Sequence, residues 1–279
     1  MIASALSKMK KRALVELFIA AMIWGFGFVA TIWALQDFSV VGFLIVRFLI
    51  ALSLGEMIRV LIMRRTFWNE EDFKLSIGAG LLMASFLLPQ TLGLVFTTAT
   101  NSGFLTILYV VLVPVLSFVF FRKKHPPATY GLAALAFFGA WLLMKAQIHT
   151  LNKCNLWSLL YAFGACLHIL YLGKFASRIQ DPFRFNNFQS FWCLFAVIPF
   201  IHWDSKFTMV STHLIPWAGV LWTAVGSSII GFMIQIRAQK VLSETTAAQF
   251  FLLESPFALL FGALILNDKI NGLQTLGAF

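Results

Sequence analysis

The chain has 279 residues, of which 60% are hydrophobic and 11% are charged, and its formal net charge is +10. A soluble domain carries about 25% charged residues and cannot hide so much apolar area, so the composition argues against a soluble enzyme or binding domain. The apolar stretches run continuously for about 20 residues, as in membrane-crossing helices, and do not alternate as in barrel strands. The basic residues lie in short clusters without the basic, aromatic-lined groove expected of a nucleic-acid-binding protein.

In chain order, charged and Pro/Gly/Asn-rich clusters separate nine apolar segments, and each is predicted to be a transmembrane helix. A tenth segment begins near Gly272 and stops at Phe279, so the last crossing is expected to be cut short. The nine complete segments are approximately 13–35, 40–63, 75–96, 98–121, 127–145, 155–177, 185–203, 214–238 and 245–266.

The distribution of basic residues predicts the orientation of these segments. With the N-terminus in the cytoplasm, sixteen of the 21 Lys and Arg residues fall on the cytoplasmic side, four fall outside, and Arg47 alone lies within a segment. Cytoplasmic connections carry an excess of Lys and Arg, so this division is a strong signal. We therefore expect a multi-pass protein of the cell (inner) membrane with both termini in the cytoplasm. The four external residues are Lys145, Lys153, Lys206 and Lys269.

The two halves of the chain show a weak internal repeat. Trp24-Gly25 corresponds to Phe163-Gly164, and Thr97-Thr98-Ala99 corresponds to Thr245-Thr246-Ala247, at a nearly constant offset. Because five segments per repeat is an odd number, the second copy must cross the membrane in the opposite sense, as in many secondary transporters. The predicted fold is an all-α membrane protein of ten transmembrane helices, arranged as two inverted five-helix repeats. Residues 1–146 form the first repeat and residues 147–279 the second, which is incomplete at the C-terminus.

The fourth segment from Thr97 to Pro114, together with shorter motifs such as Trp24-Gly25 and Glu254 to Ala258, resembles the drug/metabolite transporter (DMT) superfamily, EamA branch. The strongest match is the fourth segment, from Thr97 to Thr106 and on to Pro114. The family often has Glu-Pro where this chain has Glu254-Ser255. The resemblance covers nearly the whole chain and implies a ten-helix transporter of amino acids, other metabolites or drugs. The other matching motifs are Trp24-Gly25, Arg47-Phe48, Ala238 to Ala247, Glu254 to Ala258, and Asp268 to Gly277.

Polar side chains inside the apolar segments are the candidate site residues. They are costly in the hydrocarbon layer, and they recur at three- and four-residue spacing, so those of one segment share a helical face. One interpretation is a central, aromatic-lined cavity for a polar small molecule. The other is helix-to-helix packing through small and hydroxyl residues. The candidate substrate-binding residues are Trp24, Gln90, Asn101, Tyr109, Tyr161, His168, Ser227 and Gln235.

Two charged residues have separate alternatives. Arg47 either holds a substrate carboxylate or anchors its helix through backbone carbonyls. Glu254 lies near the middle of the ninth segment, where an ionised carboxylate is expensive, so the group is expected to be neutral through desolvation or else paired with a cation. It is either a buried structural carboxyl or a proton-coupling or substrate-ammonium site. His168 is similarly either a hydrogen-bonded bundle residue or a proton carrier.

We predict a secondary transporter that moves small organic metabolites, such as amino acids, by alternating access, with export as the expected direction. Multidrug efflux and nucleotide- or sugar-type exchange are the alternatives within this class. An intramembrane enzyme would need a nucleophile with a base, or metal ligands, and a channel would need rings of equivalent residues. No motif of either kind is present, so no cofactor or metal is expected. The expected partners are a small-molecule substrate and the lipid bilayer, without nucleic acid, and the protein is a monomer or weak homodimer.

Overall fold

The computed structural model describes residues 2–64, 68–106, 108–145 and 153–268, and all regular structure within these ranges is helical. The predicted tenth segment lies outside the described residues. Three shorter stretches are not α-helical: π-helical Ile58–Met63 and Trp222–Gly231, and 3₁₀-helical Ile198–Trp203. The α-helices are α1 (Ile2–Ala34), α2 (Val40–Met57), α3 (Glu70–Leu94), α4 (Ala99–Thr106), α5 (Leu108–Phe121), α6 (Pro127–Lys145), α7 (Lys153–Phe175), α8 (Pro182–Val197), α9 (Leu214–Leu221), α10 (Phe232–Gln239), α11 (Glu244–Phe251) and α12 (Glu254–Leu266).

Polar residues between the apolar stretches set where helices begin. The Ser39 side chain accepts a hydrogen bond from the Gly42 amide at the start of α2, and the Asn69 side chain does the same for the first turn of α3. Asp181 caps α8, whose first residue is Pro182. Short polar side chains satisfy amides that a helix leaves unpaired, and proline suits the first helical position. Local sequence therefore explains these boundaries.

Seven of the described helices are long and apolar enough to cross a membrane, so the chain is a multi-pass membrane protein. Pro127–Gly139 is a shorter apolar helix. The predicted segment 185–203 is divided between α8, with 16 residues, and the 3₁₀-helical stretch. The seven long helices are Leu6–Ala34, Val40–Met63, Glu70–Leu94, Ala99–Phe121, Leu156–Phe175, Leu214–Gln239 and Glu244–Leu266.

Two groups of helices form the interior of the bundle. Helix α3 packs on α7 and α8, and helix α1 packs on α12 and on the continuous run from α9 to α10. Small residues allow close approach at both contacts. A Cβ added at Gly80 of α3 would lie 2.5 Å from the Gln189 carbonyl of α8, and one added at Gly219 of α9 would lie 2.2 Å from the Ala30 carbonyl of α1. Backbone-to-backbone packing of this kind is typical of membrane helices.

Replacing Gly219 with alanine is expected to destabilise the bundle. The new methyl group would also lie 2.8 Å from the Ala34 amide, so α9 must move away from α1. Overpacking of this kind costs about 1–3 kcal/mol. The matched control is Gly131→Ala on α6, where a Cβ would meet nothing within 4 Å. Thermal unfolding of the purified variants in detergent should show a lower midpoint for Gly219→Ala only, and equal midpoints would contradict this contact.

Candidate substrate cavity

A cavity lies between the helices of the two halves of the chain, and the space inside it that is open to the centres of water molecules is about 60 Å³. Helices α1, α2, α3 and α5 of the first half contribute to its wall, as do α7, the π-helical segment Trp222–Gly231, α10, α11 and α12 of the second. None of the described side chains of α6 lines it. The cavity is therefore bounded by helices that are far apart in sequence.

Nine of the ten candidate residues lie in this wall. Asn101 does not, and it is half-buried on α4. The three- and four-residue spacing predicts one shared face for Asn101 and Tyr109, but eight residues correspond to a rotation of about 80° around an α-helix, which is enough to turn Asn101 away. The nine lining residues are Trp24, Arg47, Gln90, Tyr109, Tyr161, His168, Ser227, Gln235 and Glu254.

Arg47 is a buried cation in the cavity wall. Its Nε donates a hydrogen bond to Ser228 Oγ at 2.8 Å, and its guanidinium carbon lies 5.4 Å from the centre of the Phe48 ring. The Arg47 hydrogen bond is thus made to a side chain, and no backbone carbonyl of the described residues accepts one from it. Among the described residues no carboxylate forms an ion pair with it. A buried guanidinium with this environment can bind an anionic group bidentately.

Glu254 is the buried carboxyl of the same cavity. The Tyr109 hydroxyl donates a long hydrogen bond to its Oε2, at 3.5 Å, and the Tyr161 ring lies 6.2 Å from that of Tyr109. Within the described part of the chain, Glu254 has no lysine, arginine or histidine as ion-pair partner. The wall therefore contains one guanidinium and one carboxyl group, and neither is paired with an opposite charge among the described residues.

The residues that follow Glu254 along its face pack closely on two helices. A Cβ added at Gly103 would lie 2.6 Å from the Ala258 methyl group, and the Ser255 hydroxyl donates a hydrogen bond to the Gly103 carbonyl. On α1, a Cβ at Gly25 would lie 3.0 Å from the Glu254 carbonyl. This face fixes the backbone of α12 against α1 and α4, so the Glu254 side chain has a well-defined position.

His168 and Gln235 are connected to residues behind the wall. His168 Nε2 lies 3.3 Å from Gln189 Oε1, and Gln235 Nε2 donates to Gln239 Oε1 at 3.1 Å. Gln239 in turn donates to the Ile169 carbonyl of α7 at 2.9 Å. His168 is therefore hydrogen-bonded within the bundle, which is the first of its two sequence-based interpretations, although it also faces the cavity.

The backbone is irregular where two of the lining helices reach the cavity. Ser227 belongs to the π-helical segment, and the turn at residues 252–253 separates Phe251 at the end of α11 from Glu254 at the start of α12. Non-helical backbone at membrane depth is tolerated only inside protein or along a cavity, and discontinuous helices commonly form transporter binding sites. Both irregularities support a functional role for this cavity.

The rest of the wall is mostly apolar and includes several aromatic rings. Trp24 packs against Phe232 and Phe251, with ring centres 5.3 and 4.9 Å apart, and Phe86 packs against Tyr161 at 5.7 Å. The Trp24 indole also donates a long hydrogen bond to the Ser227 carbonyl. Rings in tilted and edge-to-face contact form a rigid apolar surface. The cavity can therefore accommodate an apolar group beside Arg47 and Glu254.

Sequence reasoning missed three polar residues behind the wall: Asn186, Gln189 and Ser228. All three are buried, and they connect α8 to the π-helical segment. The available signal was the polar run Arg184 to Ser190, in which Arg, two Asn, Gln and Ser stand within a helix of the bundle. The partners of this run on other helices could not be identified because they lie between 21 and 131 residues away in the sequence.

The described residues contain no group of three or more His, Cys, Asp or Glu side chains that could hold a metal ion. Cys166 and Cys193 are buried and free. The cavity itself offers a ligand one guanidinium, one carboxyl and several hydrogen-bonding groups.

Comparison with known proteins gives a consistent result. The EamA-like transporter family matches residues 11–145 and 152–279. An uncharacterized transporter of Archaeoglobus fulgidus is 30% identical over 264 residues, which cover 94% of this chain and 80% of that protein. A protein of known crystal structure shares the fold with a TM-score of 0.71 at 14% identity, over 96% of this chain and 93% of the other.

Proposed function

We propose that this chain, which belongs to the EamA-like transporter family, is a secondary transporter of small zwitterionic metabolites of the amino-acid type. Family membership makes it a membrane transporter, and the substrate class is argued from the cavity. One observation carries the proposal: Arg47 and Glu254 line the same cavity, and neither has an oppositely charged partner among the described residues. Arg47 would bind the substrate carboxylate, Glu254 its ammonium group, and the aromatic wall its apolar side chain.

The energetics favour this assignment over a purely structural one. A charged group inside a membrane protein is costly, and it usually pairs with another charge or marks a substrate or ion pathway. A zwitterionic substrate supplies an opposite charge to each of the two side chains at once. Export is the proposed direction.

We also propose that the fold is ten helices in two inverted repeats. Two successive stretches of similar length match the same family. The helix contacts also have the same pattern when the halves are exchanged: α3 packs on α7 and α8, while the run from α9 to α10 packs on α1 and α2. Likewise α5 packs on α7, and α12 packs on α1. Inverted repeats of this kind support alternating access around a site at their interface.

Polar contacts between the halves lie at both ends of the bundle, which suits alternating access. At one end, Asp72 of α3 forms an ion pair with Arg184 of α8 at 2.6 Å, and Glu244 of α11 pairs with Lys123 at 2.9 Å. Charged groups at helix ends can exchange their partners for water when the halves separate, so opening either end leaves no group without a partner. These two ion pairs can therefore serve as a gate at this end of the bundle.

At the opposite end, Asp37 connects the two halves through a loop. The Asp37 carboxylate accepts hydrogen bonds from the Ser211 hydroxyl and the His213 ring. These bonds, that from Ser211 most of all, hold the pKa of Asp37 below its usual value. The ionised form is the one that accepts these hydrogen bonds, so the contact persists at neutral pH and weakens only as the solution becomes strongly acidic.

The proposed orientation predicts a labelling pattern. Both termini lie in the cytoplasm, so a cysteine at position 153 should be accessible from outside and a cysteine at position 124 should not. Because Cys154 is adjacent, Lys153→Cys and Lys124→Cys are made in a background without Cys154, Cys166 and Cys193. An impermeant thiol reagent applied to intact cells should label Lys153→Cys only. Labelling of Lys124→Cys alone would overturn the orientation.

The proposed function is tested by counterflow in proteoliposomes. The purified chain is reconstituted, loaded with each of the twenty amino acids in turn, and assayed for uptake of the labelled compound. Phenylalanine is a suitable first probe because the cavity wall is aromatic, and phenylalaninamide and 3-phenylpropanoate lack its carboxylate and its amine, respectively. We expect counterflow with the zwitterion and at least tenfold weaker exchange with both analogues. Absence of counterflow with all twenty amino acids would refute the proposal.

Multidrug efflux is the second candidate, since a carboxyl among aromatic rings also suits an organic cation. Trp24, Tyr109 and Tyr161 line the same cavity as Glu254. The same assay separates the two functions. A drug-type site would favour phenylalaninamide over phenylalanine, and transport would not depend on Arg47.

A further inference from the structure

Helix α8 carries an unusual amount of buried polar surface. Arg184, Asn186, Asn187 and Gln189 are each less than a tenth exposed, although the helix lies within the bundle between α2, α3 and α10. Arg184 pairs with Asp72 and Asn187 donates to Glu56, so these two side chains hold the ends of neighbouring helices. Asn186 and Gln189 make different contacts, which lead towards the cavity.

Asn186 and Gln189 form a hydrogen-bonded chain. The Asn186 amide donates to the Ser228 carbonyl at 2.9 Å and to the Ile229 carbonyl at 3.3 Å. Gln189 Nε2 donates to Asn186 Oδ1 at 2.8 Å, and Gln189 Oε1 lies 3.3 Å from His168 Nε2. This series of hydrogen bonds therefore runs from His168 of α7, which lines the cavity, through α8 to the backbone of the π-helical segment.

The π-helical segment needs such donors. A change between α- and π-helical hydrogen bonding leaves carbonyls that require other partners, and an unpaired buried carbonyl is unfavourable. Asn186 supplies two hydrogen bonds at this point. Ser228 is held from its other end as well, because its Oγ accepts the hydrogen bond from Arg47 Nε. Ser228 is thus the link between Asn186 and Arg47.

We propose that Asn186, supported by Gln189, is a positioning residue that orients Arg47 for a substrate carboxylate. Neither amide lines the cavity, so both act through Ser228 and, on the other side, through His168. By fixing the Ser228 backbone, Asn186 sets where the Ser228 hydroxyl accepts from Arg47 Nε, and hence where the remaining guanidinium N–H groups point. This inference rests on the proposed function, since it assumes a substrate with an acidic group.

The test compares two asparagines of the same helix. Asn186→Ala removes the donors to the π-helical segment, and Asn187→Ala removes an equally buried amide that bonds to Glu56 instead. The half-saturating concentrations of phenylalanine and of phenylalaninamide are measured by counterflow, at temperatures well below the unfolding midpoint of each variant. We expect Asn186→Ala to raise half-saturation about tenfold for phenylalanine, with little change for the amide. Asn187→Ala should change neither value.

A second variant guards against misfolding of the first. Ser228→Ala removes the acceptor of the Arg47 hydrogen bond, while both carbonyls keep their bonds to Asn186. It should reproduce the selective loss for phenylalanine. The positioning role would be overturned if the half-saturating concentrations of both compounds rose equally, or if neither variant changed the value for phenylalanine. If the wild-type protein transports no zwitterion, the proposed function fails first, so the two failures are distinguishable.

Discussion

Replacing Arg47 with glutamine is expected to raise half-saturation for phenylalanine at least thirtyfold, with phenylalaninamide unaffected. The guanidinium is buried in the cavity wall and has no carboxylate partner among the described residues, so the substrate would provide its counter-charge. Truncating one partner of a buried, hydrogen-bonded charge pair costs about 2–5 kcal/mol. The lower end of this range corresponds to roughly a thirtyfold change in affinity. The measurement is counterflow with both compounds, as above.

Two further variants test whether the weaker binding of phenylalanine is due to loss of the Arg47 guanidinium. Arg47→Lys keeps the charge but has no Nε to donate to Ser228 and no planar pair of N–H groups, so an intermediate affinity is expected. Arg59→Gln is the matched control: Arg59 continues the same helical run, is also buried, and pairs with Glu56 away from the cavity. It should leave both half-saturation values within about twofold. An equal effect of Arg47→Gln on phenylalanine and phenylalaninamide would contradict carboxylate binding.

Much of the fold follows from the sequence because lipid imposes a simple rule on it. A chain crossing the bilayer must satisfy its backbone hydrogen bonds internally, so long apolar stretches become helices. The predicted segment 40–63 coincides with α2 and its π-helical continuation, and 127–145 coincides with α6. Polar side chains within the apolar helices are costly in lipid, so they tend to face the bundle interior or a cavity. Trp24, Tyr161 and Gln235 were predicted on this basis, and all three line it.

The details of the site could not be predicted, for physical reasons. A π-helical segment differs from an α-helix by a small change in residues per turn, and the ten residues from Trp222 to Gly231 are too few to reveal it by periodicity. The break before Glu254 has one local signal, Pro256, which cannot donate a hydrogen bond to the Leu252 carbonyl. That signal is ambiguous, because Pro89 and Pro114 lie inside helices α3 and α5. The partner of Arg47 is Ser228, which lies 181 residues away. Such pairings depend on tertiary packing, and sequence spacing carries no information about them.

Replacing Glu254 with glutamine is expected to weaken transport of phenylalanine at least thirtyfold while leaving 3-phenylpropanoate, which has no amine, unaffected. The substitution keeps the shape and most hydrogen bonding, including that from Tyr109, but removes the negative charge that would pair with the ammonium group. The size follows from the same buried-pair argument as for Arg47. The compounds therefore form a crossed design: Arg47→Gln spares the amide, and Glu254→Gln spares the deaminated acid.

The pH dependence gives a second, independent readout for Glu254. Acidification protonates a carboxyl group and removes its charge, so wild-type counterflow of phenylalanine should decline as pH falls, whereas the glutamine variant should be weak and flat. Glu56→Gln is the matched control, because Glu56 bonds to Arg59 and Asn187 and does not line the cavity. It should retain both the rate and the pH profile of the wild type. If Glu254→Gln also retained both, while lowering only the unfolding midpoint, the carboxyl would be a structural group that fixes α12 against α5, and the ammonium site would have to lie elsewhere in the cavity.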